Sequence, residues 1–117
     1  MRLPTLIGIV AVATAVSACG GGDQDVRETR AADAVGTVVS VEAGSSSFSV
    51  EFAPDPGYEY FAGTVFQFTE GGALESAAGD ALVASDLAVG DHLEVWVGQC
   101  AESFPVQCPD PLGRLVP

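Results

Sequence analysis

Lysine is missing altogether from this chain, and 4 arginines stand against 16 aspartates and glutamates, for a net charge of −12 at pH 7. Affinity for nucleic acid rests on Lys and Arg displacing counterions from phosphates, so this balance excludes a nucleic-acid partner. The same repulsion disfavours docking on anionic lipid headgroups. Histidine occurs once, at His92. No second partner stands at a recognisable spacing, so Ser103 has no general base, and carboxylates such as Asp55 and Glu59 read as acidic loop residues. The expectation is a protein that is not an enzyme and takes no cofactor. Asp23-Gln24-Asp25 lacks the glycine turn and terminal glutamate of an EF-hand loop, and nothing beyond His92 joins the cysteines as a zinc ligand, so no metal centre is expected.

Long apolar runs are scarce as well. The longest, Leu3 to Ala18, is interrupted by Pro4, Thr5, Gly8, Thr14 and Ser17 and falls short of the roughly 20 residues that a permanent membrane span requires. It opens with Arg2 and closes on Val16-Ser17-Ala18-Cys19, small residues followed by a thiol. This stretch resembles a bacterial lipoprotein signal peptide. The resemblance implies that the thiol of Cys19 receives a diacylglyceryl group, that the bond before it is cut, and that Cys19 becomes the acylated first residue of an exported protein. Attachment by two or three acyl chains is then stable, since each buried methylene contributes about 0.8 kcal/mol. A general secretory signal cut after Ala18 is the rival, and the two differ only at Cys19. The implied location is the cell envelope, outside the cytoplasm, on the outer face of the cytoplasmic membrane or on the outer membrane.

Beyond such a signal, spanning residues 1–18, three arginines face all 16 carboxylates, which leaves −13 on the remaining 99 residues. A surface of this kind is soluble and self-repelling. Gly20 to about Asp33 holds three glycines and only one large apolar side chain, Val26, so residues 19–33 read as a lipidated flexible tether. Residues 34–117 remain for one small domain.

That domain reads as strands. Val35, Thr37, Val39 and Val41 share one face of a first strand, with Gly36, Val38 and Ser40 on the other. Gly44-Ser45-Ser46 is a hairpin turn signal before Ser47 to Phe52, whose strict alternation points Phe48, Val50 and Phe52 inward. Pro54-Asp55-Pro56-Gly57 stops that strand. A third, Gly63 to Thr69, turns Phe66 and Phe68 inward; a fourth, Asp91 to Gly98, does so with Leu93, Val95 and Val97 and places His92, Glu94 and Trp96 opposite. Leu112 to Val116 is the fifth. Between the third and fourth, Leu74, Ala77, Ala78, Ala81 and Leu82 recur at helical spacing, which predicts a short helix weakened by Gly79; a loop with a brief strand at Leu82 to Ala84 is the rival. The fold expected is mainly β, a small five-stranded OB-like barrel with a short helix between strands 3 and 4.

Leu87-Ala88-Val89-Gly90-Asp91-His92-Leu93-Glu94-Val95-Trp96, followed by Ala101-Glu102-Ser103-Phe104-Pro105-Val106-Gln107, resembles the C-terminal half of YobA-like small bacterial lipoproteins. The likeness covers roughly residues 85–116. It departs at Leu93, at Phe104 and in the two flanking cysteines. The family implies an OB-like fold and an envelope location but no activity.

Cys100 and Cys108 fall in a compartment where disulfides persist, and pairing them is the expectation; a redox pair would favour Cys-x-x-Cys spacing. Such a bridge would pin the loop Ala101 to Gln107. Glu102, Ser103, Phe104 and Gln107 would then sit beside the face of His92, Glu94 and Trp96, an aromatic platform with polar neighbours of the kind that holds a small molecule, a glycan or an envelope protein. Packing offers a plainer reading, in which Phe104 plugs the barrel end and Trp96 lies beneath the loop. Tyr58-Glu59-Tyr60-Phe61 forms a second aromatic group, open to the same pair of readings, with Tyr58 and Tyr60 as the candidate contacts. Two function classes follow: a lipid-tethered binding or interaction module, or a structural envelope lipoprotein without a small ligand.

Overall fold

Residues 25–117 are described by a computed structural model; residues 1–24, with the stretch expected to be a signal peptide, Cys19 and Gly20-Gly21-Gly22, lie outside the described residues. Six strands form one mixed sheet: β1 (Ala34–Ala43), β2 (Ser47–Pro54), β3 (Val65–Thr69), β4 (Leu74–Glu75), β5 (His92–Trp96) and β6 (Leu112–Val116), in the order β3-β2-β1-β5-β6-β4. Neighbours are antiparallel except β4 with β6, which run parallel. The mainly β expectation holds. The barrel does not: the sheet is not closed, and it has six strands rather than five.

The additional strand comes from the segment expected to be helical. Leu74 is fully buried and pairs with Gly113, and Glu75 pairs with Arg114, so this stretch is drawn into the sheet. The chain then reverses. Ser76 Oγ accepts from the N–H groups of Ala78 and Asp80 at 3.2 and 3.1 Å, Gly79 takes φ +95°, and Glu75 forms a bridge with Ala81. A helix requires unbroken negative φ, so the periodicity of Leu74, Ala77, Ala78 and Ala81 is overridden by pairing at one end and a turn at the other. Of the rival reading the loop forms but its brief strand at Leu82 to Ala84 does not; Ala84–Asp86 makes a single 3₁₀ turn, with the Asp86 carboxylate accepting from Val83 N–H at 2.8 Å.

The two outer strands of the sheet, β3 and β4, are separated in sequence only by Glu70 to Ala73. At about 3.8 Å per Cα step those residues cannot span a flat sheet, so the sheet curls until its outer strands approach. Side chains meet where the ladder does not. A Cβ at Gly113 of β6 would lie 2.8 Å from Leu74 and 2.9 Å from the Phe68 ring, so only glycine lets β3 and β4 come this close to β6.

The core matches the alternation read for three of the strands. Phe48, Val50 and Phe52 of β2, Phe66 and Phe68 of β3, and Leu93 and Val95 of β5 are buried, with the Phe52 and Phe66 rings packed edge to face at 5.0 Å. β1 is the exception. Ala34, Gly36 and Val38 point inward, and then Val38 pairs with Phe52 while Ser40 pairs with Glu51, which leaves Val39 as a bulge, 44% exposed. The extra residue inverts the faces, and Val41 packs against the core.

The packed body also begins earlier than Ala34. Val26–Glu28 forms a 3₁₀ turn capped by Asp25, and Arg27 is only 8% exposed. Its guanidinium donates to the carbonyls of Ala73 (3.0 Å), Gly113 (2.8 Å) and Gly72 (3.1 Å) and is held on its other edge by both oxygens of Asp25. Asp33 accepts from Val97 N–H at 2.8 Å. Residues 25–33, read as tether, are therefore bound to the sheet.

Candidate functional site

Fifteen residues join β5 to β6, and the Cys100–Cys108 disulfide closes this loop at a Cα separation of 4.2 Å. Inside it, Ala101 N–H donates to the Gln107 carbonyl at 2.8 Å. Val106 is buried in the core, so the loop is fixed by an apolar anchor as well as by the bridge. What lies between those anchors has nowhere to go but outward: Phe104 is 97% exposed. Ser103 and Glu102 are exposed beside it, and the Ser103 hydroxyl donates to the Pro105 carbonyl at 3.0 Å. The packing expectation for Phe104 is thus corrected, because the smaller Val106 occupies the end of the core.

The aromatic loop follows β2, which ends at Pro54 as read. Gly57 turns the chain at φ +100°, and both Glu59 carboxylate oxygens accept from Gly57 N–H at 3.0 and 3.1 Å, which lowers the carboxyl's pKa. Glu59–Phe61 is a 3₁₀ turn beginning after the half-buried Tyr58. Its Phe61 enters the core beside Phe66, and Tyr60 stays 53% exposed. The Tyr60 hydroxyl donates to Glu102 at 2.9 Å, and this bond to a carboxylate holds the phenol above its ordinary pKa.

That bond joins the two candidate groups into one face. Gly63 approaches the Pro105 ring, and the Thr64 hydroxyl donates to the Val106 carbonyl at 3.2 Å in a buried contact. The sequence placed the aromatic loop and the stapled loop apart; the fold brings them together.

The opposite holds for the β5 row. His92 Nε2 lies 2.8 Å from Asp55 at the start of the aromatic loop, and Glu94 is half-buried opposite Arg114. Trp96 is only 4% exposed: its indole N–H donates to the Arg30 carbonyl at 2.9 Å, and the Arg114 guanidinium sits 5.6 Å from its ring centroid. Instead of lying beside the stapled loop as a platform, Trp96 packs beneath the N-terminal segment.

Below the stapled loop runs a groove of about 1160 Å³, open to solvent. Val65, Gln67 and Thr69 of β3 line one wall; Gln99, Pro105 and Asp110 contribute to the other, where Gln107 also lies. Sequence reasoning missed Val106, whose burial has no periodic partner; away from the groove it also missed that Asp55 faces His92 and that Arg27 is buried. Among the described residues, no group of three metal-ligating side chains converges, and no helix is long and apolar enough to cross a membrane. Compared with protein-family models, curated proteins and solved structures, the chain matches none.

Proposed function

We propose that this protein is a lipid-anchored interaction module of the bacterial cell envelope, held outside the cytoplasm through acylated Cys19, which uses the joined stapled and aromatic loops to bind a partner protein. The observation that carries this reading is Phe104, almost fully exposed on a loop pinned by the Cys100–Cys108 bridge and by Val106. An aromatic carried on a pinned backbone has only two side-chain torsions to fix on binding, which is what makes such residues effective anchors in interfaces. Tyr60 beside it supplies an amphipathic ring with a polar tip. Both the lipobox-like Val16-Ser17-Ala18-Cys19 and the likeness of residues 85–116 to YobA-like lipoproteins support the envelope location.

The reading includes no catalytic step. Ser103 bonds Pro105 rather than a base, and His92 faces Asp55 on a different element. Within it, the pairing of β1 with both β2 and β5 supports an OB-like strand order in an open sheet.

Crosslinking in intact cells tests the proposal. A photoreactive residue at Ser103 of the full chain should trap one defined envelope protein, and Phe104→Ala should reduce the yield about tenfold while the melting temperature stays unchanged. Mass spectrometry should find Cys19 as a diacylated amino terminus. No adduct, or equal yield from Phe104→Ala, would leave a structural lipoprotein as the reading.

A further inference from the structure

We propose that the groove takes an extended, positively charged peptide segment of the partner as an added strand on β3. This rests on the interaction-module reading and names the chemistry of what binds.

Among the described residues, β3 is hydrogen-bonded to β2 on one side only and stands at the end of the sheet order. Glu70 N–H donates to the Ser46 carbonyl at 3.0 Å, and antiparallel pairs alternate, so the 48/68 and 50/66 pairs exchange bonds while Val65, Gln67 and Thr69 turn their N–H and C=O groups the other way. Those three residues line the groove. Edge strands are ordinarily blunted by lysine, proline, inward charge or a bulge. Val65-Phe66-Gln67-Phe68-Thr69 has none of these, and its register against β2 is unbroken. The facing wall includes a two-residue antiparallel bridge inside the disulfide, Ala101 with Gln107, which lines the groove together with both cysteines. An open trough alongside free backbone groups fits a chain, whose main-chain bonds supply affinity and whose alternate side chains supply specificity.

Charge selects the occupant. Asp110 stands in one wall, and Glu42 and Glu51 lie in the adjoining depression shared through Ser49 and Val65. No described cation is near to offset them: Arg27 is buried against carbonyls, Arg30 pairs with Asp33, and Arg114 pairs with Glu75 and Glu28. A second copy of this chain would bring its own net −12 to the contact, so edge-to-edge self-pairing is opposed and a basic segment is favoured.

The test is selection of a phage-displayed heptapeptide library on the full-length protein in detergent micelles. Enriched peptides should carry net positive charge and bind at least tenfold more weakly when every second backbone amide is methylated. Amide hydrogen exchange of Val65, Gln67 and Thr69 should slow on binding. The double variant Val65→Lys/Thr69→Lys, with melting temperature as the check on folding, should lose the peptide yet keep the Ser103 crosslink partner at reduced yield. Four results would overturn the proposal: no enrichment, enrichment of neutral or acidic peptides, indifference to amide methylation, or protection confined to other strands. If the Phe104-dependent crosslink persists through any of those, only the added-strand inference fails; if the crosslink itself is absent, the interaction reading fails first.

Discussion

The sheet ends differently at its two extremes. At β4 and β6, where the ladder runs out, Arg27 crosses from the N-terminal segment and satisfies the carbonyls of Gly72, Ala73 and Gly113, with Asp25, Glu75, Arg114 and Glu28 continuing a charged network over the surface. At β3 the edge is unpaired among the described residues, and a loop anchored by Val106 and a disulfide stands across a groove. The same requirement, that buried backbone groups find partners, is met by protein at one end and left to solvent or a binding partner at the other. A closed end is where stability concentrates, and an open end is where recognition can be built.

Arg27→Ala should break that contrast most severely. It removes the donor from the Gly72 and Gly113 carbonyls and from Asp25, whereas Glu75 keeps Arg114 and the Ala73 carbonyl keeps the Gly113 N–H; a buried acceptor left without a partner costs about 1 to 3 kcal/mol. Chemical denaturation checks it; a loss below about 1 kcal/mol would mean that the network contributes little. Arg27→Lys should recover only part, because an ammonium cannot reach three carbonyls and a bidentate carboxylate together.

Removing the bridge acts on the other end. Cys100→Ser/Cys108→Ser should lower stability by about 2 to 3 kcal/mol, the chain-entropy value for a short loop. Exchange should rise in residues 100–108 and stay unchanged at Arg27, and partner capture through Phe104 should fall even at temperatures where the variant is folded. Equal exchange at both ends would show that the two are not independent.

Acid separates them further. Asp25 has its folded pKa lowered, chiefly by the Arg27 side-chain bond, so its contribution is complete above the ordinary value of 3.8 and is lost as pH falls through the depressed folded value. Unfolding followed between pH 5 and about 2 should therefore show a loss of stability that Asp25→Asn reduces, Glu59 contributing the remainder in the same direction.

The smallest effect belongs to Tyr60. Its pKa is raised, first by the bond to Glu102, so the phenol should titrate above the ordinary tyrosine value of 10.0, and the bond's contribution is present below that value and lost as pH rises through the folded one. Glu102→Gln should bring the ultraviolet phenolate titration of Tyr60 back down while leaving stability nearly unchanged, as expected of a surface substitution.

Much of the sheet was legible because alternation is a local signal. Phe48, Val50, Phe52, Phe66, Phe68, Leu93 and Val95 were read inward from spacing alone, and β6 at Leu112–Val116 begins and ends where it was read. The hairpin at Gly44-Ser45-Ser46 and the stop at Pro54 were legible for the same reason, since turn chemistry is carried by the residues that make the turn. β1 misled because one bulged residue at Val39 inverts everything after it, and nothing about valine announces a bulge. Leu74 to Leu82 misled because the partner that claims Leu74 lies at Gly113, far along the chain.

The candidate face divides along the same line. Which side chains carry aromatic or polar character was readable, but not which would be neighbours. Tyr60 and Glu102, and Trp96 and Arg30, are brought together across long stretches of chain.

What the sequence determined by itself was therefore everything that depends on near neighbours: the β class, the alternating core, the turns, the acidic surface and the expectation that Cys100 would pair with Cys108. The tertiary structure alone decided that Arg27 would be buried, that Val106 rather than Phe104 would enter the core, that the two loops would share one face, and that the sheet would stay open beside β3. Those outcomes follow from how a curled sheet brings its outer strands near each other, and long-range closure of that kind leaves no mark in the local order of residues.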